Sequence, residues 1–162
     1  MESNAVVRKI LVAVDGGEES MYALSWCLNN LLTKSSPQNA LILLYAKPPQ
    51  SIAPALDGTG FLFSSDVIAS MEKYSNDLAE SVMDKCRAAC KDLADTVKVE
   101  TMVDHGDPRE VICDVSEKRK PDLLVVGSHG YGFVKRAFLG SVSNHVAQNA
   151  KCPVLIVKKP KH

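Results

Sequence analysis

Four glycines and three serines share one stretch, LLVVGSHGYGFVKRAFLGSVSNHV at residues 123–146. Their types and spacing suit one chemistry, the closing of a backbone loop around an anion. Gly127, Gly130 and Gly140 permit positive φ and close backbone approach. Gly140 is followed by Ser141, Val142 and Ser143 at what reads as a helix start, where unpaired N–H groups favour a phosphate. The hydroxyls of Ser141 and Ser143 add donors, and either is equally a candidate for a plain N-cap. The pattern Gly127-x2-Gly130-x9-Gly140-Ser141 is not a Walker A loop, because no lysine follows the last glycine. Nor is it the dinucleotide fingerprint, which follows the first strand and not the fourth. Glycines alone serve a loop as readily as a ligand. Their weight comes from lying after a buried strand and before a serine-led helix.

Turnover of a bound polyphosphate needs a positioned water, a base, and a metal or cationic groups at the developing charge. No Asp or Glu occurs in residues 127–143. A divalent ion such as Mg2+ or Mn2+, held by the phosphates and a serine hydroxyl, is compatible with that, but no dedicated metal site is expected. Ser141, His129 and Asp15 have the residue types of a hydrolase triad, yet the nucleophile-elbow pattern G-x-S-x-G is absent. No catalytic residue is therefore assigned. His129 lies between two of the glycines, within reach of a ligand. Lys135 and Arg136 are open to two readings, countercharge to a phosphate or a solvated basic pair. Asp15, which follows the first apolar run, is either a cap of the next helix or a ligand-facing carboxylate.

The elements that must position these residues alternate along the whole chain. VVRKILVAV (6–14) is an apolar, β-branched run suited to the centre of a parallel sheet, buried on both faces. A helix is expected over 18–34, with Glu18 and Glu19 at its positive end and Leu24, Leu28 and Leu31 inward. A second strand follows over 40–46. Residues 48–64 are rich in proline and glycine without a period and read as an irregular excursion, a surface loop or a cap bearing Phe61, Leu62 and Phe63. A long helix over 65–94 carries Val67, Met71, Tyr74, Leu78, Val82, Cys86, Ala89 and Leu93 at intervals of three and four, which predicts one buried stripe. KVETMVDH is a third strand, more alternating and so nearer an edge. Asp107, Pro108 and Glu110 start a third helix as N-cap, first position and box-like partner. DLLVVG, SVSNHVAQNA and PVLIVK complete the order as strand, helix and strand. This predicts a single α/β domain over 1–162 with a doubly wound parallel sheet. In such sheets ligands bind beyond the carboxyl ends of the strands, where the winding reverses.

Composition sets the outer limits. The chain has 162 residues, with 19 basic and 19 acidic side chains, so no global field recruits nucleic acid or an anionic membrane. No apolar run approaches a bilayer span, and the N-terminal stretch lacks the order of a secretory signal. A cytoplasmic protein, with nuclear access, is expected. Five cysteines at irregular spacing do not form a disulfide framework. Cys86 and Cys90, four apart on one helix face, have no further ligands nearby for a metal; Cys86 falls on the apolar stripe, and Cys152 reads as buried.

With ILVAVDGGEES, GDPREVI and DLLVVGSHGYGFVKRAFLGSVSNHVAQNAKCPVLIVK on the page, the chain resembles the universal stress proteins over essentially its whole length. The spacing G-2x-G-9x-G-[S/T] resembles that of the ATP-binding branch, and the detail of the loop resembles the plant members most. The resemblance implies a strand order 3-2-1-4-5, which sets Asp15 and Gly127 on one crevice. It implies that Ala13, Val14 and Asp15 contact adenosine and that the backbone of Leu41 reads the adenine edge. It further implies Gly127, Ser128 and Gly130 around ribose and first phosphates, with His129 between them within reach by position, and Gly140, Ser141, Val142 and Ser143 around the distal ones. ATP, or AMP or ADP, is the expected ligand, and a homodimer through the last strand, residues 153–158, the expected assembly. One position departs from the pattern: Gly17 stands where many members have serine or threonine. The leading reading is a nucleotide-dependent stress-response module. A dimeric scaffold with structural or absent nucleotide, and a weak ATP hydrolase, are the alternatives.

Overall fold

Strand β1 (Arg8–Val14) is apolar on both faces because it is the middle of a five-stranded parallel sheet. Ile10, Leu11 and Val12 have no exposed surface at all. The computed structural model describes residues 7–32, 39–48, 65–129 and 140–160. On one side β1 pairs with β2 (Asn39–Lys47), from Arg8 opposite Asn39 to Val14 opposite Tyr45. On the other it pairs with β4 (Leu123–Gly127), Ile10 opposite Leu123. The edges are β3 (Lys98–His105) beside β2 and β5 (Val154–Val157) beside β4. The order is β3-β2-β1-β4-β5, as the resemblance implies. The alternation that placed the third strand near an edge is borne out.

Helices cover both faces, and the period-2 alternation of the strands divides the core between them. Helices α1 (Glu18–Asn30) and α2 (Ser65–Ala89) pack on Val12, Val14, Leu43 and Tyr45. Helices α3 (Pro108–Arg119) and α4 (Ser141–Asn149) pack on Leu11, Ile42, Leu44 and Val126. Leu24 and Leu28 face inward from α1, as expected, while Leu31 caps the helix half-buried.

The long helix corrects one expectation. Only Ala79, Val82, Met83 and Cys86 of α2 are buried, whereas Val67, Tyr74 and Leu78 are exposed by 42%, 72% and 44%. Length explains this. Twenty-five helical residues extend about 37 Å, and the nine residues of β2 only about 30 Å. The helix runs back from the carboxyl end of β2, so its first half overhangs the sheet there. It stops at Ala89, and a short 3-10 turn, Lys91–Leu93, replaces the rest of the expected helix. Cys27, Cys86 and Cys90 are packed inside, and burial pushes their thiols up to about 12, 11 and 11. All five cysteines are free.

The start of α3 follows its sequence. Asp107 is the N-cap, its Oδ1 accepts from Arg109 N–H at 2.9 Å, and Pro108 occupies the first turn. The Arg109 guanidinium also closes on the carboxylate, donating to Oδ2 at 2.7 Å. That contact first, and the backbone N–H second, lower the Asp107 carboxyl from 3.8 to about 2. A depressed carboxyl stabilises the fold above its unfolded pKa and loses that contribution as pH falls through the folded one. The gap in Tm between wild type and Asp107→Ala is therefore expected to be full at pH 5 and to close between pH 4 and pH 2. Thermal melts across that range check it, and a gap that persists at pH 2 contradicts the cap.

Candidate functional site

The winding reverses between β1 and β4, and their carboxyl ends open onto one crevice. Asp15 leaves β1 there and Gly127 ends β4. The first turn of α1 lies against both. Asp15 Oδ1 accepts from Gly17 N–H at 2.8 Å and from the Ser20 hydroxyl at 2.7 Å. The carboxylate thus ties the turn before α1 to the first turn of that helix, whose N-cap is Gly17, and it stands at the crevice. Gly17 is the N-cap by geometry and makes no side-chain cap.

Gly127 is a glycine for a packing reason. A Cβ there would sit 3.0 Å from the carbonyl carbon and oxygen of Glu19 and 3.3 Å from Ser20 N. Only a residue without a side chain lets α1 approach β4 this closely. Gly16, at φ +80°, needs glycine for its backbone conformation, and a Cβ would also meet Val82 Cγ2 at 2.9 Å.

Ser128 closes the loop. It is 3% exposed, and its N–H donates to Val157 O at 3.0 Å. Its carbonyl accepts from Gly140 N–H at 2.7 Å and from the Ser143 hydroxyl at 2.7 Å. Ser128 and the start of α4 are therefore held directly together. Ser128 Oγ lies 3.2 Å from His129 Nδ1 and 3.5 Å from Glu19 Oε2. The clasp uses groups that the sequence offered to a ligand: the N–H of Gly140 and the hydroxyl of Ser143, which is 2% exposed and also reaches Gly140 O at 3.1 Å. The N–H groups of Ser141, Val142 and Ser143 lie ahead of the helical ladder, which begins with Asn144 N–H to Gly140 O at 3.0 Å. They have no acceptor among the described residues, and Gly140, the N-cap, brings no side chain to cap them. Neither serine is the N-cap.

Asp15, Gly127, Ser128, His129, Gly140 and Ser141 are brought together at this end of the sheet. Ala13 and Val14 are beside them, but Val14 turns its side chain into the core under α1. Gly130, Lys135 and Arg136 lie outside the described residues, as do Phe61, Leu62 and Phe63. Leu41 is a correction. The register sets it opposite Ile10, near the start of β2, with no exposed surface, so it does not reach the crevice. Tyr45 is the residue level with Val14, and Ala46 extends past the end of β1. Lys47 O accepts from Gly106 N–H on the β3 side at 3.0 Å. Amide groups alternate between neighbours along a strand, so the N–H and C=O of Ala46 face the β1 side, over the crevice. Counting back from the carboxyl end of the second strand would have found both residues. Burial first, then the Asp15 charge and Tyr74, raise the Tyr45 phenol. Tyr45 also forms one wall of a cleft of about 580 Å³, opposite Met71, Tyr74 and Leu78 on the overhanging half of α2.

The family model for the universal stress proteins matches residues 7–158, which include this reversal point and both glycine-marked ends around it. The chain belongs to the universal stress protein family. Universal stress protein YxiE of Bacillus subtilis is 31% identical, over 93% of this chain and 98% of its own. The solved structure of MJ0577, a universal stress protein of Methanocaldococcus jannaschii, superimposes with a TM-score of 0.74 at 27% identity, covering 96% of this chain and 99% of that one. A family protein of Arabidopsis thaliana solved with AMP bound shares the fold, with a TM-score of 0.69 at 22% identity over 94% and 92% of the two chains. Among the described residues no three His, Cys, Asp or Glu side chains gather as a metal would require. No described helix is long and apolar enough to cross a membrane.

Proposed function

We propose that the crevice between β1 and β4 binds an adenine nucleotide, ATP foremost and AMP or ADP in the same place. The observation that carries this is the start of α4, where three successive N–H groups have no acceptor among the described residues, beside the contact that holds Gly140 to Ser128. The spacing Gly127-x2-Gly130-x9-Gly140-Ser141 and the AMP-bound relative support it. In this reading the N–H groups of Ser141, Val142 and Ser143 and the Ser141 hydroxyl receive the distal phosphates. Gly127, Ser128, His129 and Gly130 surround the ribose and first phosphates. Ala13, Val14 and Asp15 meet the nucleoside, and the Ala46 amide takes the base-reading role first given to Leu41. Mg2+ or Mn2+ enters with the phosphates, steadied by Ser141. Residues 127–143 contain no Asp or Glu and no lysine directly follows Gly140, so in this reading the nucleotide acts as a state signal in a stress-response module, with turnover slow or absent.

One domain over 1–162, a plant-like affiliation and a cytoplasmic site with nuclear access belong to the same proposal. So does a homodimer through residues 153–158. It is favoured by β5, an edge strand whose Val154, Leu155 and Ile156 are only half-buried. Calorimetric titration of nucleotide-free protein with ATP, with and without Mg2+, tests the central claim. Micromolar or tighter binding is expected. Well-folded protein that gives no binding heat and no thermal shift overturns it and leaves the dimeric scaffold.

A further inference from the structure

Ser20, in the first turn of α1, is 5% exposed. Its hydroxyl donates to Asp15 Oδ1 at 2.7 Å, and its oxygen accepts from Asp15 N–H at 3.0 Å. One small side chain thus grips both the backbone and the carboxylate of the residue that leaves β1. A serine hydroxyl has a single proton, so the 3.3 Å approach to Gly17 O is the weaker use of it. With Gly17 N–H as the second donor at 2.8 Å, Oδ1 holds two short hydrogen bonds that fix the plane of the carboxylate. The N-cap position, Gly17, contributes only its backbone N–H to that carboxylate. The Glu19–Ser20 peptide is also the group for which Gly127 makes room. A single helical turn sets where both walls of the crevice stand.

We infer that Ser20 is a positioning residue for ligand binding. It holds the Asp15 carboxylate in the orientation that meets donor groups of the nucleoside. This rests on the nucleotide reading above. Carboxylates bind donors best when their geometry is set beforehand, and losing a charge-assisted hydrogen bond frees the side chain to rotate.

The test is a double-mutant cycle read by ATP calorimetry, with thermal melts of every variant. Ser20→Ala is expected to weaken ATP binding about tenfold. Ser20→Thr, which keeps the hydroxyl, is expected to retain the wild-type affinity. In an Asp15→Ala background, Ser20→Ala is expected to change affinity no further. A merely structural role predicts the same loss in both backgrounds, and that result, or unchanged affinity in Ser20→Ala, overturns the inference. Should Ser20→Ala fail to fold, Ser20→Cys keeps the volume with a weak donor and carries the same cycle. Absent binding by wild type defeats the nucleotide reading and this inference with it. Wild-type binding with equal losses in the two backgrounds defeats the Ser20 inference alone.

Discussion

Gly127→Ala is expected to lower stability by about 2–3 kcal/mol, near the upper end for overpacking in a closed site. In a chain of this length that is roughly 5–10 °C in Tm. The added Cβ meets backbone atoms of Glu19 at 3.0 Å and Ser20 N at 3.3 Å, not the end of a flexible side chain. Relief requires α1 to move as a body off β4. That movement carries Ser20, and with it Asp15, away from the loop. Nucleotide affinity is therefore expected to fall together with stability. Urea and thermal unfolding measure the first effect and ATP titration the second. A Gly127→Ala protein as stable as wild type contradicts the close approach of helix and strand.

Gly140→Asp is expected to do the opposite to stability and more to binding. Gly140 has φ −68° and ψ 161°, extended backbone that any residue adopts, so no strain arises. It is the N-cap of α4 and offers no side chain to the first turn. An aspartate there accepts from N–H groups of that turn and complements the helix dipole, a gain of about 1 kcal/mol. The same carboxylate occupies the donors assigned to the phosphates and repels them. ATP affinity is expected to fall about 100-fold or more. Raised or equal Tm with binding lost separates a ligand role from a folding role. A variant that binds ATP as tightly as wild type places the phosphates elsewhere. The pair of substitutions divides the glycine motif by physical cause: Gly127 serves helix packing, and Gly140 keeps a helix start open.

Much of this was legible in the chain. The apolar run 10–14 pointed to a central parallel strand, since a partly exposed one would alternate. The α3 start is local chemistry, Asp107 and Pro108 acting within one turn, so sequence suffices. The glycine spacing and the serine-led helix marked one region as the place to look. Other features depended on partners far along the chain. Leu41 and Ala46 lie in the same strand, and only the register with β1 shows that Ala46 stands over the crevice while Leu41 is sealed in the core. Periodicity made α2 one buried stripe, but periodicity reports which face is apolar and not how much sheet there is to cover it.

The hydroxyls of Ser141 and Ser143 look alike in sequence, yet Ser143 is committed to the carbonyl of Ser128, fifteen residues earlier. Gly127 looked like a ligand glycine and is demanded by Glu19 and Ser20, more than a hundred residues away. The sequence alone determined the element order, the two-sided burial of the central strand and the residues that start α3, because these follow from local conformational preference and periodicity. The tertiary structure decided which polar groups are left for a ligand. A hydrogen bond or a close contact removes a group from the site, and those partners are chosen by folding.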